Sequence, residues 1–373
     1  MLWGNGKISI RQLQSLIIID TLGMGIVGLP ALVSEFSGQS GYVATLFAGA
    51  VVLGMSLIYG NVLKAFPQKS FSVISKKLLG GVLGTIVVWL LVIRLILEAG
   101  FELRFFCEII KETMLPKTPP IIVAFIMIAM SFWFSQKGYE TRGRLAEIIL
   151  PISVVVIGIV FILASLGNNA TNVIPVFENG AKGFFKASLV SLSAFGGVEL
   201  VFIAGKFLNH TEEKEKGFFA FSGNIGKNIF FASVALVFLM VFISTVTIAR
   251  FGADETKDIM WPVIKVMQII DFPGSIFERQ DVFMMWFWIV SAFAAVNKGV
   301  FLPSVITSEN KQAKTRLIIS SALAFAIAIF PYDFFDIYKL IIDIRCFFAL
   351  IYMIALPMLF FISLSLRRET NEK

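Results

Sequence analysis

The sequence has little of the chemistry on which enzymes and metalloproteins depend. Its 373 residues include one histidine, His210, and two cysteines, Cys107 and Cys346. The two cysteines do not stand at metal-ligand spacing, and one histidine gives no catalytic triad. No glycine-rich phosphate-binding loop is present. The sequence therefore predicts no enzyme, no metal site and no cofactor.

Charge is also scarce. Charged residues make up 15% of the chain and hydrophobic residues 57%, whereas a soluble domain carries about 25% charged residues. The 39 phenylalanines suit helices that face lipid. The net charge of +7 lies in short loops between apolar runs, which favours topology signals over a nucleic-acid-binding patch. Composition therefore predicts an all-α polytopic membrane protein whose surroundings are the lipid bilayer.

Apolar runs long enough to cross a bilayer divide the chain. A spanning helix needs about 20 mostly apolar residues, and this rule predicts about ten spans in a single membrane domain, residues 1–373, with no separate soluble domain. The predicted spans are Ile8–Phe36, Gly41–Ala65, Val82–Ile110, Pro120–Phe134, Ala146–Leu166, Phe184–Leu208, Asn228–Ala249, Val282–Leu302, Leu317–Phe330 and Phe334–Leu366.

The basic residues predict an orientation. With the N-terminus in the cytoplasm, 20 of the 32 basic residues fall in inner segments, among them Arg142 and Lys298. This bias favours both termini inside and an even number of spans, which agrees with ten but leaves eight or twelve open.

The longest stretch between spans runs from Arg250 to Asp281. It contains a short amphipathic piece, Ile259–Ile270, which we interpret as a helix lying on the membrane surface. An ordinary loop with one helical turn is the alternative.

Two predicted spans carry helix-breaking residues at mid-membrane. Span 1 has three glycines and a proline in Gly23–Pro30, and span 6 has Gly196 and Gly197 beside polar residues. Inside a helix glycine costs about 1 kcal/mol and proline about 3 kcal/mol relative to alanine. The two interruptions open two sets of five spans, about residues 8–166 and 184–366. Paired interruptions of this kind predict an inverted-repeat transporter core.

An unwound segment at membrane depth must be buried or line a cavity. Its freed N–H groups suit a carboxylate, and its freed carbonyls suit an ammonium group or a cation. The sequence therefore predicts a site for a small molecule such as an amino acid. The predicted ligand contacts at the two interruptions are Gly23, Met24, Gly25, Ile26, Gly28, Ala194, Phe195, Gly196, Gly197 and Glu199.

These segments resemble the signatures of a known superfamily. Gly23–Pro30 is similar to the first-helix G-x-G-I-x-x-x-P signature of amino acid–polyamine–organocation permeases, and Phe195–Glu199 to their sixth-helix F-x-G-x-E signature. The resemblance implies a LeuT-like 5+5 inverted repeat with helices 1 and 6 broken.

Within that superfamily the chain most resembles the B subunits of spore-germination receptors. The similarity covers nearly the whole length and includes Lys7–Leu13 and Phe277–Asp281. It implies a protein of the inner spore membrane in an endospore-forming bacterium. It also implies that the protein senses small nutrients, often amino acids, beside A and C partner subunits.

Several charged residues lie inside predicted spans, where a charge at the bilayer centre costs at least about 2.5 kcal/mol. Glu199 is either a ligand contact or gate, or a carboxylate that satisfies freed backbone. Arg94 and Glu98, at i and i+4, can pair as a structural ion pair or beside the site, which span 3 lines in related permeases. Asp20 either holds a proton or orients the unwound segment, or lies near a water-filled vestibule. Arg345 receives no role.

Ion coupling is weakly indicated. Sodium-coupled relatives use span 8 hydroxyls near the first break, and here span 8 offers only Ser291. Some proton-coupled relatives use a lysine on span 5, which this chain lacks. Lys298 is interpreted as a topology charge.

Two functions of different class remain, with a third beside them. The first is a ligand-sensing receptor subunit on a permease scaffold, which the resemblance and the missing coupling residues favour. The second is an autonomous amino acid transporter. The third is a ligand-gated ion or water pathway through the same core.

Overall fold

The computed structural model describes residues 6–23, 25–166, 170–174, 179–209, 224–269, 281–307, 313–330 and 334–371. Regular structure in these ranges is helical, apart from one isolated bridge between Ile8 and Leu208. The α-helices of these ranges are α1 (Ile10–Thr21), α2 (Gly25–Ser37), α3 (Gly41–Ala65), α4 (Phe71–Leu79), α5 (Gly81–Thr113), α6 (Pro120–Ser135), α7 (Tyr139–Ser165), α8 (Gly180–Ala194), α9 (Val201–Ala204), α10 (Ile225–Phe251), α11 (Ala253–Asp258), α12 (Pro262–Ile269), α13 (Asp281–Thr307), α14 (Ala313–Ile329), α15 (Phe334–Ala349) and α16 (Leu356–Asn371).

The outer faces of the long helices are strongly apolar. Phe238 is 70% exposed, Phe125 64% and Trp133 62%, which suits a lipid environment because large apolar patches are rare on soluble monomers. Seven helical stretches in the described ranges are long and apolar enough to cross a membrane: Gly25–Ala65, Gly81–Thr113, Tyr139–Ser165, Gly180–Phe207, Ile225–Phe251, Trp288–Thr307 and Leu340–Arg367. These stretches confirm an all-helical membrane protein, while the count of ten spans stays a prediction.

Span 1 is broken over a short stretch. Helix α1 starts with a capping box, in which Ser9 and Gln12 exchange hydrogen bonds of 3.1 Å between backbone N–H and side-chain oxygen. It ends at Thr21, and α2 starts at Gly25. Pro30 lies inside α2, so α2 contains most of the glycine-rich segment, and the described part of the interruption is Leu22 and Gly23.

Span 6 is broken in the same way but continues less regularly. Helix α8 ends at Ala194, and the chain then passes through a 3₁₀ turn (Val198–Leu200), the short α9 and a second 3₁₀ turn (Gly205–Phe207). Its end is joined to the segment before α1. The Ile8 N–H donates to the Phe207 carbonyl at 2.7 Å, and the Asn209 N–H donates to the Ile8 carbonyl at 3.0 Å.

Close helix packing places the two breaks at the centre. Helix α2 packs on α8, α3 on α10, and α5 on α13 and α14. Where α3 and α10 approach closely, Gly60 faces Gly226, and a Cβ on Gly60 would collide with the Gly226 backbone. Small residues at such crossings are typical of membrane helix pairs.

The predicted amphipathic helix does form, as α12. Helix α12 buries Val263, Ile264, Val266 and Met267 and packs on α2 and α10. Its apolar face therefore meets protein rather than lipid, while its position at the membrane surface stays a prediction. An amphipathic pattern identifies an apolar partner without telling lipid from protein.

The last predicted span is helical but not uniform. A π-helical segment, Leu350–Ala355, separates α15 from α16. It carries Tyr352, whose hydroxyl donates to the Val87 carbonyl at 2.8 Å. The Tyr352 ring centroid lies 5.5 Å from the Arg94 guanidinium carbon, so the π segment aims an aromatic face at a buried charge.

Candidate functional site

The two helix breaks lie against each other. A Cβ on Gly25 would meet the Ala194 backbone at 3.8 Å, and a Cβ on Gly197 would collide with the Thr21 hydroxyl. The sequence predicted both breaks, and the fold brings them together. The backbone groups that they leave without helical partners therefore converge on one place.

A small polar cavity lies at this place. Small residues from both breaks line it, namely Gly23, Gly25, Ser193, Ala194 and Gly196. Its charged lining comes from four helices and consists of Asp20, Glu98, Glu102, Lys298 and Arg345. The site therefore combines backbone exposed by the breaks with both signs of charge.

Arg94 anchors one side of the site. On α5 its Nε donates to Glu98 Oε1 at 2.6 Å. Its Nη1 lies 2.6 Å from Glu199 Oε1. The two groups form a close ion pair, but their angles do not meet those of a hydrogen bond. Glu199 Oε2 also accepts the N–H of Gly197 at 3.0 Å. Glu199 therefore performs the structural task considered for it, satisfying freed backbone, and links the span 6 break to α5.

Asp20 anchors the other side. Its carboxylate accepts a hydrogen bond from Arg142 on α7, and the Asp20 and Arg142 side chains are 4% and 5% exposed. Lys298 on α13 donates to the Asp20 backbone carbonyl at 3.1 Å. Lys298 Nζ also lies 3.8 Å from Glu98 Oε2, which connects the Asp20 side of the site to the Arg94 side.

A further ion pair lies where the polar cavity meets a second cavity. Arg345 Nη2 donates to Glu102 Oε1 at 2.5 Å. Together the site holds four carboxylates and four cations, which are Asp20, Glu98, Glu102, Glu199, Arg94, Arg142, Lys298 and Arg345. Counted formally, with each carboxylate as −1 and each cation as +1, these eight groups sum to zero. A net charge brought in by a ligand would then have no counter-charge.

The second cavity, which is lined mainly by apolar side chains, adjoins the first. The two cavities share Gly25, Ser193, Ala194 and Arg345. The apolar cavity is walled by Leu29, Leu32, Phe105, Trp261, Tyr338, Ile341 and Ile342, with Gly28 beside them. A molecule with polar groups at one end and an apolar group at the other would match the pair of cavities.

The predicted contacts divide into those that line a cavity and those that do not. Gly23, Gly25, Gly28, Ala194, Gly196, Glu98 and Asp20 line one or both. Ile26, Phe195 and Ser291 are buried but line neither of these cavities. Arg94, Gly197 and Glu199 stand behind the polar cavity and act on it through neighbours. Met24 lies outside the described residues.

Other site residues were not predicted, because their charges were given a different interpretation. Arg142 was interpreted as a loop charge and Lys298 as a topology charge at the inner end of span 8, yet they are 4% and 5% exposed and both donate hydrogen bonds to Asp20. Arg142 lies just before the predicted start of span 5, but α7 begins at Tyr139, which brings Arg142 into the helix. Arg345 and Glu102 pair across the chain, so no local pattern could reveal their contact.

The charged groups of the site can bind a small polar molecule. Among the described residues, no group of three or more His, Cys, Asp or Glu side chains could hold a metal ion. The converging charges and backbone groups suit a small zwitterion, because each of its ends can meet an opposite charge.

The chain is similar in sequence to a known protein family. The profile of a family described as "Spore germination protein" matches residues 7–337. Spore germination protein B2 of Bacillus subtilis (strain 168) is 24% identical over 87% of this chain and 88% of its own length. Spore germination protein A2 of the same organism is 22% identical over 98% of each chain.

A solved structure shares the fold. It is that of Mhp1, a nucleobase-cation-symport-1 family transporter in a closed conformation with bromovinylhydantoin bound. The TM-score is 0.66 at 12% sequence identity, covering 93% of this chain and 78% of that one. This likeness shows a transporter fold, and at this identity it says nothing of the ligand.

Proposed function

We propose that this chain, which belongs to the spore germination protein family, is a permease-like receptor subunit that binds a small nutrient and signals germination. The family is one of multi-pass membrane proteins of spore-forming bacteria rather than an enzyme class. The finer proposal is that the nutrient is an amino acid and that it binds in the polar cavity between the two helix breaks.

One observation carries the proposal most directly. The polar cavity presents both signs of charge beside the backbone of two broken helices. The α-carboxylate and α-ammonium of an amino acid are separated by one carbon, so they need opposite charges close together. Such a zwitterion also leaves the sum of the eight charges unchanged. The adjoining apolar cavity would receive its side chain.

The proposal also includes an architecture of ten spans in a single domain, arranged as two inverted sets of five. Contacts between corresponding helices support this, since α3 packs on α10 and α5 on α13. We also propose cytoplasmic termini, the inner spore membrane as location, and A and C subunits as partners that receive the signal.

The second candidate function is an autonomous amino acid transporter. The observation in its favour is the fold shared with the transporter Mhp1. Both functions need the same site, and they differ in whether the bound molecule crosses the membrane.

Reconstitution separates the two. The full chain alone is placed in liposomes and tested with each of the twenty radiolabelled amino acids for binding and for uptake. A receptor subunit gives saturable binding of one or a few amino acids without accumulation inside. Concentrative uptake would replace the receptor function with transport, and no binding of any amino acid would remove the ligand class.

A matched pair of variants tests the site in spores that carry the full set of receptor subunits. Gly25→Leu places a side chain in both cavities, whereas Gly54 is exposed and has no atom within 4 Å of a Cβ. We expect Gly25→Leu to abolish the nutrient response at normal membrane levels of the protein, and Gly54→Leu to leave it intact. An unchanged response in Gly25→Leu would reject the site.

A further inference from the structure

We propose that the ammonium group of Lys298 is a built-in cation at the span 1 break, so that the site needs no bound alkali cation. The inference has two parts. The structural arm is that Lys298 stabilises the break, and it can be tested without any ligand. The ligand arm is that the nutrient response needs no added cation, and only this part rests on the proposed function.

The position of the ammonium group is the first argument. Lys298 is 5% exposed, and its Nζ donates to the backbone carbonyl of Asp20 at 3.1 Å. Asp20 lies in the last turn of α1, where carbonyl groups have lost their helical N–H partners and carry the partial negative charge of the helix end. Glu98 Oε2 lies 3.8 Å away on the other side.

The chemistry of these oxygens is the second argument. A freed helix carbonyl and a carboxylate are the ligand types that hard cations take in proteins. An ammonium group meets the same oxygens by donating hydrogen bonds, and it cannot diffuse away because its side chain tethers it. Lys298 therefore occupies the place at the break that a free Na⁺ or K⁺ would otherwise suit.

The charges around Lys298 are the third argument. Arg142 already pairs with the Asp20 carboxylate, and Arg94 is shared between Glu98 and Glu199. Without Lys298 the seven remaining charged groups of the site would sum to −1. A buried group of net negative charge attracts a counter-ion, so removing Lys298 should create a need for a cation where none existed.

Thermal unfolding of the purified full chain tests the structural arm. Melting midpoints are measured in NaCl, KCl and methylammonium chloride, with N-methylglucamine chloride at equal ionic strength as the large-cation reference. We expect the unchanged chain to melt at the same temperature in all four salts. Lys298→Met should melt lower in the reference salt and recover by about 3 °C in at least one small cation.

Two controls make the outcome decisive. Lys76→Met removes an exposed lysine and should behave like the unchanged chain. Lys298→Met combined with Glu98→Gln restores a zero sum, so it should fold even where the single variant does not, and should show no cation response. The inference is overturned by a cation response in the unchanged chain, by none in a folded Lys298→Met, or by failure of the compensated double variant to fold.

The ligand arm uses spores exposed to a mixture of the twenty amino acids with and without NaCl. The unchanged protein should respond equally in both, and Lys298→Met should respond only with salt. If the unchanged protein responds in neither, the proposed function fails. The melting experiment still decides the role of Lys298.

Discussion

The buried pair between Asp20 and Arg142 allows a quantitative test of the site. Each partner is nearly inaccessible, with side chains 4% and 5% exposed, and they join the end of α1 to α7. Asp20→Asn leaves the Arg142 guanidinium without its carboxylate, and Arg142→Met leaves the carboxylate without its guanidinium. The double variant Asp20→Asn with Arg142→Met leaves neither charge.

The magnitude follows from burial. Removing one partner of a buried ion pair typically costs about 3–5 kcal/mol, because the other charge stays buried without compensation. At about 2 °C per kcal/mol for a large domain, each single variant should melt about 6–10 °C lower. The double variant should be more stable than the sum of the two losses predicts, by at least about 2 kcal/mol.

The assay is thermal unfolding of the purified chain in one detergent, followed by tryptophan fluorescence. Arg144→Met is the matched control, since Arg144 lies one helical turn from Glu140 on the same helix and pairs with it while 67% exposed. Surface pairs contribute about 0–1 kcal/mol, so its midpoint should barely move. Additive losses in the double variant would refute the coupling, and an Arg144→Met loss as large as that of Arg142→Met would refute the burial argument.

Three further variants follow from the same geometry. In Gly25→Ala the added Cβ would lie 3.8 Å from the Ala194 backbone, which is an ordinary contact, so the variant should fold normally. Because the methyl group enters the cavities, the half-saturating nutrient concentration should rise about tenfold. An unchanged dose response would contradict this. Trp261→Ala removes a wall of the apolar cavity and should weaken nutrient binding about tenfold. Trp133 is exposed, so Trp133→Ala should leave nutrient binding unchanged. Equal effects of the two substitutions would contradict binding in the apolar cavity. Ile8→Pro removes a donor N–H and should speed amide hydrogen exchange at the end of span 6, and unchanged exchange would rule out the bridge.

The helix breaks could be predicted from sequence because their cause is local. Three glycines and a proline in Gly23–Pro30, and two glycines at Gly196 and Gly197, are costly in a continuous helix wherever they occur. Matching positions in two sets of apolar runs then predicted that the breaks share a site. In the structure the two breaks contact each other and a polar cavity lies between them, as expected if they form one site.

The charged partners of the site could not be predicted, because pairing depends on tertiary contacts. The charges around Arg142 moved the predicted start of span 5 too far along the chain. Lys298 was interpreted as a topology charge at the inner end of span 8, whereas α13 extends to Thr307. Glu102 and Arg345 are far apart in the chain, so only the fold brings them together. The pair Arg94 and Glu98 was predicted, since i and i+4 neighbours meet in any helix.

The bridge between Ile8 and Leu208 is made of main-chain groups alone. Its two hydrogen bonds tie the start of the first broken helix to the end of the second, and they place no demand on which side chains stand there. Ile8 and Leu208 are buried and Phe207 stacks on Tyr139, so homologous chains could replace these three residues only by others of apolar character, with proline excluded wherever an N–H donates. What they could not change without loss is the length of chain between each break and the bridge. Conservation at this end of the molecule should thus appear as constant spacing and apolar character rather than as fixed residue identities.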